Sequence, residues 1–233
     1  MNLRLVVRSI ICLSVLGFHP ISALTQSDSK AKVESLLKKS VQAFNSGQWT
    51  KSIISGELAL KACRTHFSEN NPLCINIMRN NALAYQQAGV ILENAEKIER
   101  AYRVALSQLG PMHYTTIKTR EIFYRLVIAK QRYSETIPLV IAFIHHERTN
   151  NNDTHKILDW FIELDDLYKK TNQPQYKEPT LESIVSLTEK IYGIENNSFK
   201  PFVNALAECY CTQKKYAKFS ALKDKYSLEI NCA

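Results

Sequence analysis

The sequence predicts an all-α solenoid of about five antiparallel helix pairs, and three observations carry that prediction. Six Gly and seven Pro in 233 residues are few, which fits helices joined by brief connections. The chain also repeats itself. HFSENNPLCINIMRNNALAYQQAGVI, from His66 to Ile91, lies without a gap over QLGPMHYTTIKTREIFYRLVIAKQRY, from Gln108 to Tyr133, an offset of 42 residues. Within each unit the apolar residues step by three and four, as in Met78, Ala82 and Tyr85 or Val203, Ala207 and Tyr210, the spacing of one helix face.

The register extends over most of the chain. Gly47 falls on Gly89 and then Gln131, and Trp49 falls on Ile91 and then Tyr133. One residue is dropped before the next unit, after which the spacing of 42 resumes. Tyr85, Val127, Tyr168 and Tyr210 then become equivalent, and Leu109-Gly110 matches Tyr192-Gly193. The predicted helices cover 29–46, 49–66, 72–88, 90–108, 113–130, 133–149, 155–171, 178–192, 199–213 and 216–230. Pro72 suits a first turn, where its missing N–H costs nothing. Pro138 lies close enough to the start of the sixth helix to be tolerated or to kink it. Two antiparallel helices cannot bury their shared face alone, so each unit needs its neighbour.

These residues resemble a tetratricopeptide-repeat array, and in particular the 42-residue repeat of the kinesin light chain subclass. Leu109, Gly110, Pro111 and His113 stand where that subclass has its connector. Asn80, Asn81, Ala82, Tyr85 and Gly89 follow its helix-and-turn pattern. Met112 and Tyr114 depart from it, and the third and fourth units are degenerate. The resemblance covers about residues 30–230 and implies a right-handed superhelix whose first helices line a concave, peptide-holding surface. By register that surface takes Asn76, Arg79 and Gln86 from the second pair, then Lys118, Glu121 and Arg125 from the third. Asp159 and Lys169 follow from the fourth, and Asn204, Glu208 and Cys211 from the fifth. Arginine and lysine there would hold carboxylates, and asparagine an extended backbone.

Residues 1–23 read as a cleaved secretory signal peptide. Arg4 and Arg8 precede the apolar run Ile10–Phe18, and Ile21-Ser22-Ala23 supplies a small residue for cleavage. The run is short for a bilayer span, so no integral membrane span is expected after cleavage. Residues 24–233 then form a single array, exported to a periplasmic or fully extracellular space. The formal charge of +8 becomes +6 without the leader, and no basic block interleaved with aromatics argues for nucleic acid. Cys63, Cys74, Cys209, Cys211 and Cys232 remain. Cys63 lies late in one helix and Cys74 opens the next, with a short connector between, so these two are the expected disulfide. Cys209 and Cys211 point to different faces. Cys232 is expected near the start of the ninth helix, away from both.

No catalytic residue and no cofactor are expected, because no nucleophile motif, phosphate loop or paired-carboxylate arrangement occurs. His113 reads as a helix cap at a corner. Glu163, Asp165 and Asp166 read as a solvated acidic face. Asn152-Asp153-Thr154 and Asn196-Asn197-Ser198 are glycosylation sequons in connectors. The sequence thus favours an exported, non-enzymatic scaffold for a protein or peptide partner. The alternative is a metal-dependent factor or enzyme centred on His145, His146 and His155, with zinc held across a turn. A third reading keeps residues 1–23 as a membrane tether.

Overall fold

The computed structural model describes residues 21–232, with side chains from residue 27 onward. The expected leader lies outside the described residues except for 21–23, which open the first helix. Among the described residues there are ten α-helices and no strand. They form five consecutive pairs: α1 (Ile21–Asn45) with α2 (Trp49–His66), α3 (Pro72–Gln87) with α4 (Ala95–Leu109), and α5 (Tyr114–Ala129) with α6 (Tyr133–His146). The last two are α7 (Thr154–Lys170) with α8 (Lys177–Tyr192) and α9 (Lys200–Thr212) with α10 (Tyr216–Tyr226).

The turn inside every pair has the same construction. Gly47, Gly89, Gln131, Asn172 and Lys214 all sit at positive φ, between 52° and 73°. Successive members are 42, 42, 41 and 42 residues apart, which includes the single dropped residue of the repeat. Around them Gln48 N–H bonds to Ala43 O, Val90 to Tyr85, Arg132 to Val127, Gln173 to Tyr168 and Lys215 to Tyr210, at 2.8–3.0 Å. These 6→1 bonds satisfy carbonyls left open where the first helix of each pair ends. Only the first two units use glycine there; the other three carry side chains in a left-handed conformation.

The corners between pairs are built differently. Gly110 (φ 82°) ends α4. His113 then caps α5, its Nδ1 accepting from Thr115 N–H at 3.1 Å. Asn71 does the same for α3, its Oδ1 accepting from Leu73 N–H at 2.9 Å. The buried Arg120 reaches back and donates from Nη2 to Pro111 O at 2.6 Å, tying the corner to the helix it starts.

Burial runs from pair to pair. Val33, Cys63, Cys74, Ile77 and Ala105 share one apolar cluster, Tyr85, Ile98, Ile122 and Leu126 a second, and Leu167, Ile184 and Val203 a third. Each cluster draws on adjacent pairs, so no pair completes its own core. Close approach is concentrated at Gly56, where an added Cβ would stand 2.0 Å from Asn81 Oδ1. Ser40 and Ser52 exchange hydroxyl-to-carbonyl bonds beside it at 2.9 and 3.0 Å.

Helix limits differ from expectation in four places. α1 starts at Ile21 rather than near residue 29. α4 starts at Ala95 rather than near residue 90, because residues 91–94 form a turn closed by Asn94 Nδ2 donating to Val90 O at 3.0 Å. The β-branched Val90 and Ile91 are poor helix formers in any case. α6 runs unbroken through Pro138 but ends at His146, and the chain continues as a π-helical turn over Glu147–Asn151. α10 stops at Tyr226, where Ser227 takes a left-handed conformation (φ 51°) and residues 227–232 leave the helix.

The expected Cys63–Cys74 disulfide is present, with Cα atoms 5.7 Å apart and both residues 0% exposed. Cys209 is buried and free. The expectation for Cys232 is overturned: it forms a second disulfide with Cys211, Cα to Cα 5.3 Å. Because α10 is short, the tail has six residues in which to run back along α9 to its last turn. Among the described residues no helix is long and apolar enough to cross a membrane.

Candidate binding groove

The first helices do not follow one another evenly. α3 and α5 touch, whereas no Cα of α5 lies within 8 Å of a Cα of α7, and none of α7 within 8 Å of one of α9. The first of these gaps holds a groove of about 970 Å³ between the third and fourth pairs. It lies beside the unit where the repeat loses a residue and where α6 unwinds into its π-helical turn. That turn places Glu147 and Asn151 at the end of the groove.

The floor is aromatic. Phe143 from α6 stacks on Trp160 from α7, with ring centroids 4.6 Å apart and planes at 26°. Tyr124 from α5 meets both edge-on at 5.6 Å. Its hydroxyl donates to Glu163 Oε1 at 3.1 Å, bridging the two walls. Burial, and then the Glu163 carboxylate, raise the Tyr124 phenol above its ordinary range, so it stays protonated as a donor. Arg120 stands behind the floor, its guanidinium 6.0 Å from the Phe143 ring centre.

The walls carry charge of both signs. On α5, Lys118 is paired with Glu121 at 2.9 Å. Arg125 further along, and Asp159 on the opposite wall, make no hydrogen bond or ion pair with another described residue. A groove with an apolar floor and open charges on both walls can seat a large apolar side chain and fix the chain on either side of it.

The sequence-derived candidates separate on this geometry. Lys118 and Arg125 line the groove together. Arg79 sits one helix away, held by Asn80 Oδ1 (Nη2 at 2.8 Å) and lying 5.3 Å from the centre of Tyr114, a rim residue of the groove. Asn76 and Gln86 stand on α3 outside it, both half-buried. Asn204 lies beneath the C-terminal tail, in a separate cavity of about 570 Å³. The aromatic floor was missed by sequence reasoning. Its one available signal was Trp160, one residue after the predicted groove residue Asp159.

The histidines of the alternative reading do not converge. His146 faces the groove, with Nδ1 3.0 Å from Asn150 Nδ2. His145 is exposed, and His155 packs edge-on against Tyr192 at 6.0 Å. Among the described residues no three His, Cys, Asp or Glu side chains are grouped to hold a metal ion.

No protein-family model matches the sequence. No curated protein matches it. Similar solved structures do exist. One is a putative kinesin light chain from Podosopora anserina with nearly identical TPR-like repeats, 18% identical, covering 84% of this chain and 93% of that one at a TM-score of 0.52. A substituted form of that same protein is 17% identical, with the same coverage and TM-score. BtubC from P. vanneervenii is more distant, 12% identical over 89% of this chain and 83% of its own, with a TM-score of 0.47. At these identities the likeness concerns the path of the chain. That path, with its five pairs and recurrent turns, is the fold of a tetratricopeptide-type repeat array.

Proposed function

We propose that the protein is an exported, non-enzymatic scaffold that binds an extended segment of a partner protein in the groove between α5 and α7. The observation that carries this reading is the groove itself, an open cavity of about 970 Å³ with an aromatic floor. Arg125 and Asp159 stand unpaired on its opposite walls. Repeat arrays of this fold are typically scaffolds for protein interaction rather than enzymes. The best-fitting segment carries an aromatic or large aliphatic side chain for Trp160 and Phe143. An acid beside it would meet Lys118 and Arg125, and a base would meet Asp159. Two disulfides favour an oxidising compartment, which agrees with the leader read from residues 1–23.

Selection of binders from a random peptide library, followed by titration of the best, tests the groove. Arg125→Ala and Trp160→Ala should each weaken binding by about tenfold or more. Arg103→Ala, on α4 away from the groove, should leave it unchanged. Equal binding by all three variants, each folded by circular dichroism, would rule the groove out.

A further inference from the structure

We propose that residues 227–232 are a releasable latch, covering the concave face of the last pair and held there by the Cys211–Cys232 disulfide. Beyond Tyr226 the exposure alternates. Leu228, Ile230 and Cys232 are partly buried, while Ser227, Glu229 and Asn231 are exposed. That period of two belongs to an extended segment with one side against the protein. Leu228 packs on the cluster that contains Phe199 and Val203. Its N–H donates to Lys223 O at 3.1 Å, and Lys223 Nζ donates to Asn231 Oδ1 at 2.6 Å. The segment is therefore fastened to α10 along one side and to α9 through Cys211 at its end.

What it covers follows from the repeat register. Asn204 and Glu208 are 83 residues beyond Glu121 and Arg125, one step of 41 and one of 42; of the two, Asn204 is partly buried beside the tail and Glu208 stays exposed. Cys211 continues the same stripe, three residues on. The tail roofs a cavity of about 570 Å³ over Phe199, Lys200, Val203 and Asn204. It thus lies on the face that, in the third pair, lines the groove; this step rests on the groove reading above.

The two disulfides differ in access. Cys63 and Cys74 are enclosed in the helical core, whereas Cys211 and Cys232 are both partly exposed. Attack by an external thiolate requires a reachable sulfur. A dithiol reductant attacks Cys232 Sγ, breaking the S–S bond, and Cys211 leaves as a thiolate that takes up a proton. The second thiol of the reductant then displaces Cys232 from the mixed disulfide and closes the reductant's own ring. Two electrons pass from reductant to protein. Cys209, two residues from Cys211, does not compete, because it is buried and burial pushes its thiol up.

The test is a dithiothreitol titration of the full chain, read by differential alkylation and by amide hydrogen exchange at each point. Cys211 and Cys232 should become alkylated at reductant levels that leave Cys63 and Cys74 joined. Peptides covering 199–212 and 227–232 should lose protection at those levels, with α3 to α7 unchanged. Cys232→Ser should show the same loss without reductant. Simultaneous opening of both disulfides would overturn the proposal, as would unchanged protection of α9 in Cys232→Ser. Neither readout involves a partner, so the latch can fail while the groove stands, and the Arg125→Ala titration can fail while the latch stands.

Discussion

The Tyr210 hydroxyl donates to Glu182 Oε1 at 2.8 Å, 28 residues earlier in the chain. Tyr85 makes the same bond to Glu57, again 28 residues earlier. A lysine completes each arrangement. Lys218 Nζ bonds Glu182 at 2.9 Å and lies 5.4 Å from the Tyr210 ring centre. Lys97 Nζ bonds Glu57 at 2.7 Å and lies 5.5 Å from the Tyr85 ring centre. Each trio joins the second helix of one pair to both helices of the next. The repeat therefore propagates a polar clamp as well as an apolar face. Burial, and after it the carboxylate acceptor, raise both phenols above their ordinary range and keep them donating.

Removing either hydroxyl should weaken the joint between pairs. Tyr85→Phe and Tyr210→Phe are each expected to cost about 1–2 kcal/mol in urea unfolding, since the acceptor is charged and partly exposed. The cost of Tyr85→Phe should shrink in a Glu57→Gln background. Additive losses would mean that the pair is not coupled.

Glu57 and two further carboxylates are expected to set the acid limit of the fold. Partial burial works against the charge on Glu57, but hydrogen bonds from Lys97 and Tyr85 outweigh it and leave the carboxyl below its ordinary 4.5. Hydrogen bonds from Lys215 and then Lys218 lower Glu178, and those from Tyr226 and then Lys225 lower Glu189. A carboxyl that binds its proton less tightly when folded contributes stability that is fully present above its unfolded pKa. That contribution disappears as pH falls through the lower folded value. Tm should therefore hold between neutrality and about pH 5 and drop below the usual carboxylate range. Glu178→Gln should lower Tm at pH 7 and flatten the acid limb. An unaltered acid limb would remove Glu178 from the account.

Most of the architecture was legible because the turns are punctuated. The five left-handed turn residues recur at the spacing found by aligning Gly47, Gly89 and Gln131, including the dropped residue. The groove was only half legible. Lys118 and Arg125 follow from helix register, which depends on local periodicity. The gap between α5 and α7 and the stacking of Phe143 on Trp160 depend on how two units splay, which no local pattern encodes. The tail was misread for a related reason. KFSALKDKYSLEI continues a helical pattern of exposed and apolar residues, and the alternation from Leu228 to Cys232 is too short to outweigh it. The helix stops at the left-handed Ser227, and a bond to Cys211, distant in sequence, holds the tail back along α9.

Gly56 offers a test in which two local effects oppose each other. It lies inside α2, where alanine is normally favoured over glycine by about 1 kcal/mol. An added Cβ would stand 2.0 Å from Asn81 Oδ1 and 3.0 Å from Ser40 Oγ. Asn81 is buried, and neither atom of its amide has a hydrogen-bond partner among the described residues. Gly56→Ala should thus destabilise by about 1–3 kcal/mol despite its better propensity. In an Asn81→Ala background the obstructing amide is gone, and Gly56→Ala should become neutral or stabilising. A stabilising Gly56→Ala in the wild-type background would show that α2 and α3 can separate at little cost.

The corner at Gly110-Pro111 separates a structural histidine from a chemical one. His113 caps α5 with Nδ1, and the equivalent Asn71 caps α3 with Oδ1. Two residue types that share only an acceptor at this reach make the acceptor the requirement. His113→Asn should therefore keep stability within a few tenths of a kcal/mol, while His113→Ala should lose about 1 kcal/mol. Peptide titration of the groove should be unchanged in His113→Asn, because the corner acts by fixing where α5 begins. A loss of binding in His113→Asn at full stability would assign the imidazole a direct role and move the functional surface to the rim at Met112 and Tyr114.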